Sequence, residues 1–143
     1  MAEICLVRHG ETAGNALKRY IGVTDEPLTE EGKAFLQGLS CEPVEAVFCS
    51  PLIRCRETAG ILYPENEPVI IRELSECDFG EFENRNYKEL SGNTAYQAWI
   101  DSNGTLPFPG GESREDFKNR SLRGFEKAVH MCIQKEIRKA ALV

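Results

Sequence analysis

Long apolar runs are missing from this sequence of 143 residues. No run approaches the roughly 20 residues that a membrane-spanning helix requires, so we expect no membrane partner. Near the N-terminus, only the short apolar run at residues 4–7 precedes Arg8 and His9. That run is too short for the core of a signal peptide, and we therefore expect a cytoplasmic protein.

Closely spaced cysteine and histidine residues are lacking as well. The chain has six cysteines without a Cys-x-x-Cys pair, and its two histidines, His9 and His130, lie far apart. Because a structural zinc site needs such ligands at short spacing, we expect no metal, and nothing in the sequence calls for another cofactor. Scattered cysteines beside apolar residues are typical of a reduced protein without disulfides.

The sequence also lacks an excess of positive charge. Lysine and arginine together number 17 against 23 aspartates and glutamates, which gives a formal net charge of −6. A chain without a broad basic field is not expected to bind nucleic acid. A small phosphorylated metabolite is still compatible with this charge, provided that a few arginines converge locally. The length fits a single domain over residues 1–143.

Four short apolar segments predict strands, at residues 4–7, 45–49, 69–71 and 140–143. The first has no polar alternation and is expected to be buried on both faces. Helical segments separate the strands along the chain. This alternation predicts an α/β fold of three layers, α/β/α, around a mainly parallel sheet.

The helices carry recognisable start signals. Thr29 is followed by two glutamates and predicts the N-cap of the first long helix. Ser50 and Pro51 predict the N-cap and the first position of the next one. Residues 87–90 and 94–100 read as short helical pieces, and the aromatic residues of the second piece are expected in the core.

A long helix is predicted to start at Ser113, with Asp116 three residues later in a capping-box arrangement. His130 lies on its polar face and is interpreted as a surface residue. The apolar positions that recur at helical spacing predict its buried stripe, namely Phe117, Leu122, Phe125, Val129, Cys132, Ile133 and Ile137.

Three features follow the ends of the first three strands: His9, the segment 50–54 and Glu76. In parallel sheets, ligands bind beyond the carboxyl ends of the strands. A neutral imidazole can attack phosphorus and form a covalent phosphohistidine, and the neighbouring Arg8 can neutralise an incoming phosphate. Arg54 lies in the first turn of a helix, where the helix N-terminus also favours anions.

The sequence resembles the histidine phosphatase superfamily, which includes phosphoglycerate mutases and alpha-ribazole phosphatases. The resemblance rests on five blocks in family order, which are residues 8–12 with Asn15, 27–32, 50–59, 74–83 and 109–113. It implies a phosphoglycerate mutase-like fold. It also implies that His9 is the nucleophile, that Arg8, Asn15 and Arg54 bind the phosphoryl group, and that Glu76 acts as general acid and then base. Glu112, in the last block, is interpreted as a helix-start acid without a catalytic part.

The family pattern continues with a second catalytic histidine after the fourth strand, and this sequence stops inside that strand, at Val143. The resemblance therefore predicts a C-terminally incomplete domain. A natural end at Val143 would leave a non-catalytic phosphate-binding pseudoenzyme. We instead expect that the chain is a truncated form of a longer enzyme. An incomplete sheet is also expected to expose apolar surface and to promote self-association.

Three functions are consistent with these features. The first is hydrolysis of a small phosphomonoester metabolite, and the stretch from 80 to 111 is most similar to the alpha-ribazole phosphatase branch, which implies a part in cobalamin biosynthesis. The second is phosphoglycerate mutase-type phosphoryl transfer, but the sequence offers no extra basic residues for a second acidic group. The third is the non-catalytic phosphate-binding module.

Overall fold

A computed structural model describes residues 2–143, and a parallel sheet of four strands forms its centre. The strands are β1 (Glu3–Leu6), β2 (Ala46–Cys49), β3 (Val69–Ile70) and β4 (Lys139–Leu142). Their order across the sheet is β1-β4-β2-β3, and all three neighbouring pairs are parallel. The α/β fold with a mainly parallel sheet is thus confirmed.

Five α-helices connect and cover the strands: α1 (Ala13–Ala16), α2 (Glu30–Gln37), α3 (Ile53–Leu62), α4 (Thr94–Asp101) and α5 (Arg114–Gln134). Short 3₁₀ turns lie at Arg72–Leu74 and Gly80–Phe82. As predicted, Thr29 and Ser113 are N-caps, and their hydroxyls accept backbone N–H groups of the first turns of α2 and α5. Within residues 2–143, no helix is both long and apolar enough to cross a membrane.

The alternation of side chains along the central strands produces two core layers. Val47, Cys49 and Ala141 pack on one face with Ala59 and Tyr63 of the α3 region. On the opposite face, Phe48 and Ala140 pack with Ala128 and Cys132 of α5. Since successive side chains of a strand point to opposite faces, the two helices lie on opposite sides of the sheet.

The first strand is not buried on both faces, contrary to the prediction. β1 lies at the edge of the sheet, pairs with β4 alone among the described residues, and leaves Leu6 71% exposed. An apolar run predicts that a strand forms. The position of that strand in the sheet depends on pairing with residues more than 130 positions away, which the run does not show.

The start of α3 was also predicted wrongly. The helix begins at Ile53 rather than Pro51, and its N-cap, Leu52, makes no side-chain cap. Instead, the Asp25 carboxylate accepts the N–H of Ile53 at 2.7 Å. A carboxylate from a distant loop thus caps the N-terminus of α3 and accepts the N–H of its first residue.

The buried stripe of α5 was predicted only in part. Gly124, Ala128 and Cys132 are buried, whereas Leu122, Phe125 and Ile133 are exposed. A Cβ at Gly124 would lie 2.8 Å from Leu74 Cδ2, so small residues let the helix approach the 3₁₀ turn closely. Residues 87–90, predicted as helical, form turns instead.

A third core cluster anchors the connection between β3 and α5. It consists of buried Phe82, Leu90 and Tyr96, packed against Tyr20, Phe79, Trp99 and Phe108. The expectation that the aromatic residues of α4 belong to a core is correct for Tyr96, while Trp99 is only partly buried.

Candidate active site

A cleft of about 150 Å³ at the carboxyl edge of the sheet brings together His9, Arg54 and Glu76. His9 follows β1, Arg54 follows β2 and Glu76 follows β3, so the parallel sheet itself assembles the three side chains. Leu142 and Val143, at the end of β4, line the same cleft.

His9 is held in one orientation by its own neighbour. Its Nδ1 lies 2.7 Å from the carbonyl oxygen of Gly10, which makes Nδ1 the protonated nitrogen and leaves the lone pair on Nε2. Burial lowers the pKa of His9 below its ordinary value of 6.5, and the charges of Arg54 and Arg8 lower it further, against the opposing hydrogen bond to Gly10. A neutral imidazole with a free Nε2 is the form that can attack an electrophile.

Thr58 links the histidine loop to α3. The N–H of Gly10 donates to Thr58 Oγ1 at 3.0 Å, and this hydroxyl in turn donates to the carbonyl of Arg54 at 2.7 Å. Thr58 is fully buried. Thr58 was not among the predicted site residues, although its position one turn after Arg54 on α3 was a usable signal.

Arg54 is almost completely buried, with 1% of its surface exposed. Its guanidinium donates to the carbonyls of Thr24 and Gly22 at 2.9 Å and of Ile21 at 3.4 Å. Its Nε has no hydrogen-bond partner among residues 2–143. Because its hydrogen bonds go only to neutral carbonyls, the positive charge is fixed in place but not neutralised, which suits binding of an anion.

Arg8 and Asn15 do not line this cleft. Arg8 is exposed beside a neighbouring groove, although it is near enough to His9 to affect its pKa. Asn15 belongs to a capping box: its Oδ1 accepts the N–H of Thr12 at 3.1 Å, and the Thr12 hydroxyl accepts the N–H of Asn15 at 3.2 Å. The structure therefore gives Asn15 a local role at the start of α1.

Glu76 is half-buried, and its Oε1 accepts the N–H of Cys77 at 2.8 Å. It lies between the His9 cleft and a second, larger cavity, because it lines both. A carboxyl group at this boundary can exchange a proton with the bridging oxygen of a phosphate ester whose alcohol part occupies the larger cavity.

An ion pair between Arg120 of α5 and Glu112, just before that helix, fixes the loop that carries Glu76. Arg120 donates through Nη1 to the carbonyls of Glu73 and Ser75 and through Nη2 to that of Glu76, at 2.8 to 3.1 Å. Glu112 accepts from Arg120 Nε and Nη2, each at 2.8 Å, and also from the N–H of Asp78 at 2.9 Å. We call this pair the Arg120 clamp.

The clamp was not predicted from the sequence. The hydrogen bonds from Arg120 lower the pKa of Glu112, so the carboxylate stays ionised and the pair is charge-assisted. Glu112 was interpreted as a helix-start acid, yet its carboxylate holds the Glu76 loop. His130 lies exposed on α5, as predicted.

The structure thus places an oriented histidine after the first strand of a parallel α/β sheet, beside a buried and unneutralised arginine, and this arrangement can hold an anion next to a nucleophile. The model of the histidine phosphatase superfamily (branch 1) matches residues 4–139, and the chain therefore belongs to this superfamily. The resemblance predicted from the five blocks is thus confirmed.

Individual relatives include phosphatases and mutases. The chain is 33% identical over 141 residues to the 2,3-bisphosphoglycerate-dependent phosphoglycerate mutase 2 of Gloeobacter violaceus, covering 90% of this chain and 64% of the relative. It is 36% identical over 127 residues to the adenosylcobalamin/alpha-ribazole phosphatase of Salmonella typhimurium, covering 82% of this chain and 62% of the relative. The chain thus spans less than two thirds of the length of these relatives.

Solved structures of a phosphatase and of a mutase superpose on this chain. The alpha-ribazole phosphatase of Shigella flexneri superposes with a TM-score of 0.80 at 28% identity, over 98% of this chain and 72% of that one. A phosphoglycerate mutase of Thermus thermophilus superposes with a TM-score of 0.73 at 31% identity, over 97% of this chain and 75% of that one. The phosphoglycerate mutase-like fold is therefore confirmed.

Proposed function

We propose that this chain carries the nucleophile part of a phosphatase that hydrolyses a small phosphomonoester metabolite through a phosphohistidine on His9. The observation that carries the proposal is the cleft itself. In it, a neutral imidazole with a free Nε2 lies with an unneutralised, buried guanidinium and with the Glu76 carboxyl group.

The reaction has two steps. First, His9 Nε2 attacks phosphorus, the phosphorus–oxygen ester bond breaks, and the leaving oxygen takes a proton from the Glu76 carboxyl group. In the second step, the Glu76 carboxylate takes a proton from water, the water oxygen attacks phosphorus, and the phosphorus–nitrogen bond breaks to release inorganic phosphate. Arg54 stabilises the negative charge of the phosphoryl group in both steps, with Arg8 as a second cation near the imidazole.

The surroundings of the cleft favour a phosphatase over a mutase. The larger cavity beside Glu76 is lined mainly by aromatic and aliphatic side chains, with Arg114 as the one basic residue among them. A phosphoglycerate carries a carboxylate besides its phosphate and would require more positive charge there. An uncharged alcohol part fits this wall better.

A natural substrate to test first is alpha-ribazole phosphate. The likeness to the adenosylcobalamin/alpha-ribazole phosphatase of Salmonella typhimurium and to the Shigella flexneri structure supports this choice. Such a substrate would assign the protein to cobalamin biosynthesis. Its partner would then be a small phosphorylated metabolite rather than a macromolecule.

The decisive experiment measures phosphate release from 4-nitrophenyl phosphate by the wild-type chain, a His9→Ala variant and a His130→Ala control. We expect turnover in the wild type and in the control, and its loss in His9→Ala. Acid-labile label retained on the protein from a radioactive phosphate ester should likewise depend on His9. Turnover that persists in His9→Ala would refute the mechanism.

Two further outcomes separate the alternatives. Interconversion of 3-phosphoglycerate and 2-phosphoglycerate without phosphate release would favour a mutase. Binding of inorganic phosphate without turnover or labelling would indicate a non-catalytic phosphate-binding protein.

A further inference from the structure

A cavity of about 470 Å³ opens directly beside the His9 cleft. The two share Glu76 and Phe117, so the cavity begins where the leaving oxygen of a bound phosphate ester would lie. Its volume falls within the range of small-molecule sites, about 300 to 1,000 Å³. The position makes it the natural space for the alcohol part of the substrate.

Aromatic rings form the wall of this cavity. The rings of Phe79 and Phe108 meet edge to face with their centroids 5.0 Å apart. The ring centroids of Trp99 and Phe108 are 5.2 Å apart. These rings belong to the third core cluster, which buries Phe82 and Leu90 completely. The rings are therefore held by packing, and a ligand meets a preformed wall.

We propose that this cavity is the leaving-group subsite and that it selects phosphate monoesters whose alcohol carries a flat aromatic ring. The inference rests on the proposed function, because it assigns the phosphoryl group to the His9 cleft. It adds the substrate class, which the nucleophile and the phosphate site do not determine.

The chemistry of the wall favours an aromatic occupant. Ring–ring contacts at centroid distances of about 4.5 to 7 Å add to the gain from burying apolar area. The exposed Arg114 at the lining can also lie over the face of a bound ring. A phosphoglycerate would instead place its carboxylate against a mostly aromatic wall on which Arg114 is the one basic side chain.

Trp99 provides a direct readout, because it is the only tryptophan of the chain and lines the cavity. We would titrate the chain with benzylphosphonate, a non-hydrolysable stand-in for an aromatic phosphate ester, and with methylphosphonate, which lacks the ring. We expect a saturable change of Trp99 emission with benzylphosphonate and binding at least about tenfold tighter than for methylphosphonate. Equal binding, or unchanged emission, would overturn the proposal.

A surface variant tests the same point without disturbing the core. Ile100 lines the cavity and is 44% exposed, so Ile100→Gln should fold normally and weaken benzylphosphonate binding severalfold without affecting methylphosphonate. Ile133→Gln is the matched control, since Ile133 is exposed on α5 and does not line this cavity. An equal effect of the two variants would contradict the assignment.

The binding measurement is independent of turnover. If no variant or substrate gives phosphate release but benzylphosphonate still binds at Trp99, the proposed function fails and the subsite stands. If phosphate release depends on His9 but small aliphatic esters are hydrolysed as efficiently as aryl esters, the function stands and the subsite is refuted.

Discussion

His9 shows how a single residue can be prepared for nucleophilic attack by its surroundings. Burial and two nearby guanidinium groups disfavour the imidazolium, and the Gly10 carbonyl decides which nitrogen keeps the proton. Since the reactive form of His9 is the neutral one, protonation of this nucleophile should lower the rate only as the pH drops through a pKa that lies below 6.5. His9 should therefore remain a competent nucleophile in mildly acidic solution.

This protonation state can be measured without substrate. In a His130→Gln variant, His9 is the only histidine, and we expect its imidazole proton signals to titrate with a midpoint below 6.5. Arg8→Gln in the same background removes a positive charge near the ring and should raise the midpoint. Lys135→Gln, an exposed cation at the end of α5, should leave it unchanged. A midpoint at or above 6.5 would contradict the prediction.

Thr58 should control the position of His9 through its hydroxyl group. Thr58→Val preserves the shape but leaves the buried Gly10 N–H without its acceptor, which should cost about 1 to 3 kcal/mol of unfolding free energy in urea denaturation. We also expect the rate of phosphate release to fall by about tenfold or more, because the loop that carries His9 loses its hydrogen bond to α3.

Thr58→Ser is the matched control, because it keeps the hydroxyl and removes one buried methyl group. We expect it to lose about 1 kcal/mol and to retain most of the activity. If the valine and serine variants are equally active, the hydroxyl does not position His9.

The residues of the site differ in how far they could be predicted from sequence. His9 and Arg54 could be singled out from local patterns, the end of a strand and the first turn of a helix. Glu76 lies in an acidic run, and only the resemblance to the superfamily selected it. Thr58 acts on a backbone group 48 positions away, and Arg120 on carbonyls 44 to 47 positions away. Such contacts exist only after the sheet has formed.

The same limit applies to whole elements. The existence of all four strands and of α2, α4 and α5 was predicted, because periodicity and capping residues are local properties. The edge position of β1 was not, and neither was the close approach of α5 at Gly124, since both depend on which elements become neighbours. The N-terminus of α3 was misplaced because its capping carboxylate, Asp25, comes from a distant loop.

The Arg120 clamp connects α5 to the loop that carries Glu76, and we expect it to position the Glu76 carboxyl group. Arg120→Lys replaces a planar five-donor group by a single ammonium, which cannot serve Glu112 and three carbonyls at once. A general acid matters most for a poor leaving group. The kcat for an alkyl phosphate should therefore fall about tenfold more than the kcat for 4-nitrophenyl phosphate, whose leaving group departs without a proton.

Two further variants complete this test. Glu112→Gln should show the same alkyl-to-aryl imbalance, and Glu115→Gln, an exposed acid in the first turn of α5, should not. If Arg120→Lys lowers both rates by the same factor, the clamp supports the fold only and does not position the acid.

At the scale of the whole molecule, the net charge and the local charge of the cleft act on a ligand over different distances. The net charge of −6 gives no general attraction for polyanions. The cleft nevertheless contains the guanidinium of Arg54, which is hydrogen-bonded to neutral backbone carbonyls and keeps its positive charge available. A small dianion at the cleft interacts mainly with these near charges, because solvent screens the distant acidic residues within about 8 to 10 Å. Binding of a phosphorylated metabolite is thus compatible with an acidic protein.

The outer side of β1 is the part of the surface that we expect to mediate self-association. β1 is an edge strand, Leu6 on it is 71% exposed, and Phe35 and Leu39 are exposed in a groove near the same edge. Unpaired strand edges with apolar neighbours tend to pair with another copy. Sedimentation velocity should therefore show a concentration-dependent shift from monomer to dimer.

A charge on the edge tests this directly. Leu6→Lys should keep the chain monomeric at concentrations where the wild type associates, because an edge lysine is costly to desolvate in a strand pair. Ile133→Lys, which replaces an equally exposed apolar residue on α5, should associate like the wild type. A wild type that sediments as a monomer at every concentration would contradict the prediction, and an effect of Ile133→Lys alone would move the contact from β1 to α5.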